Sequence, residues 1–305
     1  MHASATSTAP GKVILAGEHF AVYRRPAIAL PLESVSTTVE VRPGPHDLLV
    51  TQLEPGDHAR AFALVRLARS RVPGWADQPV EVRVAGSVPV GMGLGSSAAF
   101  AVALTRALAV AAGHDWDAEA VRTVAHELEC QVHGSPSGLD DTVIAHATPV
   151  LFRRGEPPRP LRAGGPLHFV LGSVGYAGST YEAVAGVRRL AEARPDWFAG
   201  VLDQAEREVT AVVEAFEAGD AAALGPHLDA VHALLADIQV SCPDLERLVT
   251  AARDAGALGA KLVGAGCGGF MLALTDGPRQ SVVADALRRA GAEPVFVLSI
   301  KGPNP

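Results

Sequence analysis

The chain has 305 residues, a length that suggests about two domains, and its 48% hydrophobic and 19% charged residues supply a packed core and exclude a disordered chain. A net charge of -7 excludes a nucleic-acid binder that relies on a basic surface. Three cysteines, Cys130, Cys242 and Cys267, lie far apart without a C-x-x-C pair, which argues against a disulfide framework or zinc site and fits a reducing cytoplasm. Residues Met1 to Pro10 lack the charged-then-apolar pattern of a signal peptide. The most apolar helical stretch, Ala98 to Ala112, is broken by Arg106 and is too short to span a bilayer, so a cytoplasmic protein without membrane partners is expected.

In chain order, Lys12 to Ala16 reads as a strand after Pro10-Gly11, followed by strands at Ala27 to Leu32 and Ser36 to Val41. Asp47 to Asp57 reads as a loop, Arg60 to Arg71 as a short helix, and Val80 to Val84 as a half-buried strand. A glycine-rich loop, Pro89-Val-Gly-Met-Gly-Leu-Gly-Ser-Ser97, runs into a helix from about Ser97 to Ala112. A second helix spans Asp117 to Val132, with Asp117 as N-cap and His133-Gly134 as the stop. Ser135 to Gly138 is a turn before helical Leu139 to His146, and the Pro/Gly/Arg-rich stretch Arg153 to Gly165 is the expected domain junction. The second half opens with a strand at Leu167 to Val174. Helical patterns follow at Thr180 to Arg194, Trp197 to Ala218, Ala221 to Ala236 and Asp244 to Ala255. Strands at Lys261 to Val263, Phe270 to Leu274 and Pro294 to Ile300, with a helix at Ser281 to Ala290 between the last two, complete an α+β pattern.

Four segments carry chemistry. In the loop from Gly91 to Ser97, glycines admit close backbone approach, successive amides can form an anion nest, and the following helix directs its positive end there. Phosphate is the natural ligand, although no Walker A lysine follows; the plainer alternative is a flexible turn. A second cluster, Gly264-Ala-Gly-Cys-Gly-Gly269, precedes a strand rather than a helix, so a dinucleotide fingerprint does not apply. Glu129 and Asp140 bracket the His133-to-Gly138 reversal, which could bring both carboxylates to one pocket. Phosphoryl transfer needs a Mg²⁺ ligand and a group that orients the attacking hydroxyl, but without context both read as surface carboxylates. Lys12 opens a strand that leads to Gly17-Glu18-His19. It is one of only three lysines, with Lys261 and Lys301, among 26 basic residues, which hints at a need for a compact ammonium.

Together the segments resemble the GHMP kinase superfamily of galactokinases, homoserine kinases, mevalonate kinases and phosphomevalonate kinases. Ala9-Pro-Gly-Lys-Val-Ile-Leu-Ala-Gly-Glu-His19 looks like the first motif, Pro89 to Ala99 like the ATP-binding second, and Lys261 to Gly269 like the third. Within the superfamily they resemble mevalonate kinases most. That likeness rests on Gly17-Glu-His19 with Ala21-Val22, on Glu129-Cys-Gln-Val-His-Gly-Ser-Pro-Ser-Gly-Leu-Asp140, and on Ser179-Thr180 with Val184-Ala-Gly-Val-Arg188. Three departures stand out: Asp141 replaces the usual Asn, Cys267 interrupts the glycine run, and Gly178 stands where some members carry a basic residue near the substrate.

The resemblance implies a two-domain α+β fold, with a ribosomal-protein-S5-like ATP-binding domain over 1–160 and a ferredoxin-like domain over 161–305. It implies ATP and Mg²⁺ as cofactors and mevalonate as the small-molecule partner; a homodimer is left open. Asp140 would be the base or orienting carboxylate, and Lys12 would lower the hydroxyl's pKa and stabilise transition-state charge. Gly91, Gly93, Leu94, Gly95, Ser96 and Ser97 would cradle the phosphates, Ser97 and Glu129 would hold Mg²⁺, and Glu18, His19 and Thr180 would face the acceptor. Alternatives are another kinase of the superfamily acting on phosphomevalonate or a sugar, a fold-sharing mevalonate diphosphate decarboxylase, and a non-catalytic relative, against which intact Lys12, Glu129 and Asp140 speak.

Overall fold

The computed structural model describes residues 3–53, 55–75, 78–134 and 136–302. Ser135 of the expected turn, Glu54 of the expected loop and Met1 and His2 lie outside the described residues. The chain forms two compact units, one of Met1–Lys12, Pro31–Val90 and Leu94–Thr148, the other of Val13–Leu30, Gly91–Gly93 and Pro149–Pro305. Both mix helices and strands, as the α+β pattern predicts. Among the described residues no helix is long and apolar enough to cross a membrane.

In the first unit, β2 (Ala27–Pro43) pairs antiparallel with β4 (Val80–Gly86) from Thr37 opposite Gly86 to Pro43 opposite Val80. The short β3 (Leu48–Val50) runs parallel to β4. The strand β1 (Ala5–Ala16) also pairs with β2. Four helices complete the unit: α1 (Pro55–Arg71), α2 (Ser96–Ala111), α3 (Ala118–His133) and α4 (Leu139–His146). Helix α2 is buried on almost every face, and its alanines let α1, α3 and α4 all pack against it. The Asp117 side chain caps α3 by accepting from Ala120 N at 2.8 Å.

In the second unit, the start of β2, Ala27 to Ala29, pairs with β5 (Val150–Phe152), which pairs with β6 (Arg159–Pro160). A four-stranded antiparallel sheet has the order β10-β7-β9-β8, formed by Val295–Ile300, Leu167–Ser173, Phe270–Thr275 and Gly259–Val263. Strands β8 and β9 are buried at every position; β9 reads as a near-continuous apolar run, while β8 carries the buried Lys261 at its centre. Helices α7 (Ala221–Asp237), α8 (Pro243–Asp254) and α9 (Gln280–Arg289) pack on this sheet, and α6 (Pro195–Ala218) lies between α5 (Thr180–Ala193) and α7 in the packing order.

The structure departs from the sequence expectations at the first three strands. The strands expected at Ala27 to Leu32 and Ser36 to Val41 are one 17-residue strand. The exposed pair Glu33-Ser34 marks where β2 changes from fully buried to alternating burial, and that change of pattern imitates a break. β1 begins at Ala5 rather than Lys12, and the loop expected over 47–57 contains β3 and the first turn of α1. β5 and β6, three and two residues long, are too short for periodicity to reveal.

Candidate active site

The glycine loop has the backbone of an anion cradle. Gly91, Gly93 and Gly95 have φ of 74°, 82° and 78°, the left-handed region. Gly95 is the N-cap of α2 and offers no side-chain cap, so first-turn amides of the helix remain available to an anion. Gly95 is glycine for a second reason: a Cβ there would lie 2.7 Å from Lys12 Cγ and 3.0 Å from Ile144 Cδ1. The lysine stem passes directly beneath the loop.

Lys12 is fixed at both ends. Its backbone N donates to Leu94 O at 2.9 Å, and its Nζ lies 3.1 Å from Asp140 Oδ1. The Lys12 side chain is 4% exposed and that of Asp140 34%, so a desolvated ammonium meets a carboxylate that solvent and ligands can reach. Asp140 occupies the first turn of α4, where the helix dipole favours negative charge.

On α3, Glu129 is buried, and Ser97 Oγ donates to its Oε2 at 3.2 Å. His133, one turn further, places Nε2 3.2 Å from Ser97 Oγ and 3.7 Å from Glu129 Oε2. Burial first, and the charge of Asp140 second, push the Glu129 carboxyl up to about 8, against the Ser97 hydrogen bond. Its Oε1 is buried with no hydrogen-bond partner. A carboxyl group with an unanswered buried oxygen next to a serine hydroxyl, beside a glycine loop, is a donor pair that would fit a divalent cation. Among the described residues no three His, Cys, Asp or Glu side chains form a metal cluster. Burial also holds His133 below the ordinary histidine value.

Asp141, the residue that departs from the family's Asn, is 1% exposed. Its carboxylate is answered by His126 Nδ1 at 3.3 Å and Arg122 Nη1 at 3.5 Å. Burial raises it to about 6, with His126 as the main opposing influence. The extra charge is thus compensated from α3.

In the second unit, Glu18 is buried and paired with the fully buried Lys261 on β8. His19 Nε2 lies 2.9 Å from Ala265 O. Thr180, the exposed first residue of α5, lines a small cleft with Met92, Gly93, Ala265, Gly266 and Gly269. The second glycine cluster, Gly264 to Gly269, is therefore a strand-turn-strand that closes on Met92 and Gly93 at the start of the glycine loop.

Comparison with known proteins supplies the family. The GHMP kinases N-terminal domain matches residues 59–147, and the GHMP kinases C-terminal domain matches residues 212–293. The mevalonate kinase of Pyrococcus horikoshii is 36% identical over 318 residues, covering 95% of this chain and 94% of the relative. This chain belongs to the GHMP kinase family. The structure of L. major mevalonate kinase in complex with R-mevalonate aligns with a TM-score of 0.86 at 29% identity, over 98% of this chain and 97% of that one. Streptococcus pneumoniae phosphomevalonate kinase, solved with phosphomevalonate and AMPPNP, has a TM-score of 0.83 at 18% identity, over 97% and 99%. At that identity the likeness shows the GHMP kinase fold alone.

Of the residues singled out from the sequence, the first unit of this GHMP kinase brings together Lys12, Leu94, Gly95, Ser97, Glu129 and Asp140, with Ser96 opening α2. The second unit holds Gly91, Gly93, Glu18, His19 and Thr180. Two residues escape the sequence reading as participants. The sequence marks His133 only as a helix stop, yet its i+4 spacing from Glu129 already places it on the same helix face. Lys261 stands out for its rarity and its motif, but nothing in the sequence names Glu18, 243 residues away, as its partner.

Proposed function

We propose that this GHMP kinase is a mevalonate kinase, transferring the γ-phosphoryl group of ATP to the 5-hydroxyl of mevalonate in isoprenoid precursor synthesis. The observation that carries the catalytic assignment is the Lys12–Asp140 pair at 3.1 Å, seated under the glycine loop with Lys12 almost fully buried. The acceptor follows from the mevalonate kinase relatives and the mevalonate-bound neighbour, which align with nearly the whole chain.

In this reading Gly91 to Ser97 hold the nucleotide phosphates on backbone amides. The acceptor oxygen attacks the γ-phosphorus, the bond to the β-phosphate bridging oxygen breaks, and ADP leaves. Asp140 orients the hydroxyl and takes its proton; the Lys12 ammonium stabilises the charge that develops on the attacking and transferred oxygens. Ser97 and Glu129 would hold Mg²⁺, which when bound supplies charge neutralisation for the phosphates. His19 and Thr180 meet the rest of the acceptor, and Glu18 orients His19. The ATP-binding role belongs to residues 1–160 and the C-terminal domain to 161–305.

The test is ADP release against mevalonate, phosphomevalonate, galactose and homoserine, with the product located by phosphorus NMR. Mevalonate should turn over fastest and carry phosphate on the primary hydroxyl. Preference for phosphomevalonate or a sugar would overturn the acceptor and leave the kinase standing. Released CO₂ would identify a decarboxylase.

A further inference from the structure

The turn Gly17-Glu18-His19 is tied to the third glycine motif at two adjacent residues. Glu18, 2% exposed, accepts from the ammonium of Lys261, which is 0% exposed and also donates to Leu262 O at 2.6 Å. The next residue, His19, sits at φ 61°, a conformation a non-glycine residue holds only when its surroundings fix it. Its Nε2 meets Ala265 O at 2.9 Å. Glu18 and His19 on one side, and Lys261 and Ala265 on the other, make a two-point clamp.

The second contact determines the chemistry of the ring. A carbonyl oxygen only accepts, so Nε2 must carry the hydrogen, and in a neutral imidazole Nδ1 is then a lone-pair acceptor. Burial first, and the charge of Lys261 as a lesser influence in the same direction, hold His19 below the ordinary histidine value despite the Ala265 bond, which favours a neutral ring. A neutral ring with Nδ1 as acceptor recognises a hydroxyl donor, not a carboxylate.

We propose that Lys261 is a positioning residue that, through Glu18, fixes His19 in the Nε2-protonated tautomer so that Nδ1 accepts a hydrogen bond from a hydroxyl of the acceptor substrate. The inference rests on the mevalonate kinase reading; in mevalonate the hydroxyl left for His19 is the tertiary one. A lysine suits the site because a compact ammonium bonds both Glu18 and Leu262 O from a fully buried position.

Lys261→Met should raise the mevalonate KM at least tenfold while the ATP KM stays within twofold. Alone it leaves the Glu18 carboxylate buried without its counter-charge, so some loss of thermal stability is expected. Glu18→Gln combined with Lys261→Met removes both charges. It should recover most of that stability yet keep the raised mevalonate KM, because the tether is still missing. Nitrogen-15 NMR of the ring should show His19 protonated at Nε2 in the native protein and a mixture of tautomers in both variants. A mevalonate KM within twofold of native in Lys261→Met overturns the proposal. So does a double variant in which KM recovers together with stability, since Lys261 would then be only a structural counter-ion. If the native protein does not phosphorylate mevalonate at all, the acceptor reading fails instead. The His19 tautomer in native and variant protein then decides the clamp by itself.

Discussion

Glu129→Gln should make the ligand-free protein more stable and the enzyme far slower, and the stability gain should depend on pH. The substitution keeps shape and preserves an acceptor for Ser97 Oγ, but it removes a charge that the folded protein resists. Folding raises the Glu129 carboxyl from 4.5 to about 8, mainly through burial. Each pKa unit corresponds to about 1.36 kcal/mol, so native Glu129 gives up as much as ~5 kcal/mol of stability across that window. The sign follows from proton counting. Between pH 4.5 and 8 the folded state holds the proton and the unfolded state does not, so stability falls as pH rises and levels off above the folded value. The amide that replaces the carboxyl has nothing to titrate. The variant should therefore match the native protein near pH 4.5 and exceed it by several kcal/mol at pH 8. Denaturant unfolding at the two pH values, both proteins free of ligand, measures the difference. Adding Mg-ATP should stabilise the native protein more than the variant. An identical gap at both pH values, or a variant less stable at the higher pH, would refute the buried-carboxylate argument and the cation site built on it.

Asp140→Asn keeps the size of the side chain and removes its charge and basicity; turnover should fall ~10²–10⁴-fold, the usual worth of general-base assistance, with the fold intact by circular dichroism. A fall of only about twofold, with chemistry shown to be rate-limiting, would remove Asp140 from the reaction. Lys12→Arg should be severe for the same reason that Gly95 is glycine: the stem already touches the loop, and a guanidinium head forces a displacement. A misplacement of ~1 Å at a reacting group costs roughly 10²-fold, so single-turnover rates should fall at least that far with little change in melting temperature. Full activity would make Lys12 an ordinary buried cation.

Much of this architecture is legible in the sequence because its signals are local. Apolar periodicity, caps such as Asp117, and glycine stops place the helices α2 to α9 within about two residues at most ends. The Gly91-to-Ser97 loop is legible as a glycine-rich turn into a helix, and three of its glycines adopt left-handed φ. The carboxylate pair is harder to read. Sequence places Glu129 and Asp140 on either side of a reversal, but only the folded chain shows that Asp140 meets Lys12 while Glu129 meets Ser97 and His133. Contacts between residues more than a hundred positions apart leave no periodic trace, which is why the Lys261–Glu18 pair is invisible in the sequence. Short ladders such as β5 and β6 escape because two or three residues carry no period.

Two departures from the family pattern that look independent in the sequence meet in space. Gly178 replaces a residue that is basic in some GHMP kinases, and Cys267 interrupts the third glycine run. A Cβ at position 178 would lie 2.2 Å from Gly266 O and 2.9 Å from Cys267 O, both backbone atoms that cannot yield as a flexible side chain would. Cys267 in turn adopts φ 53°, and its N donates to Val240 O at 2.8 Å, so the turn is anchored from its far side. The turn occupies the space in which a side chain at 178 would begin. Glycine at 178 and the turn at Cys267 are therefore structurally coupled. A charged group cannot be restored at 178 without moving the same backbone that carries Ala265, the partner of His19. On the proposed reading, acceptor recognition on this side would fall to His19, to Thr180 and to the backbone of the turn. The small number of lysines fits this economy. Of the three, Lys12 and Lys261 are buried against the acidic residues of the two motifs that matter, and only Lys301 is exposed. Arginine carries nearly all the solvated positive charge, and two of the three lysines sit where a single ammonium fits inside the protein.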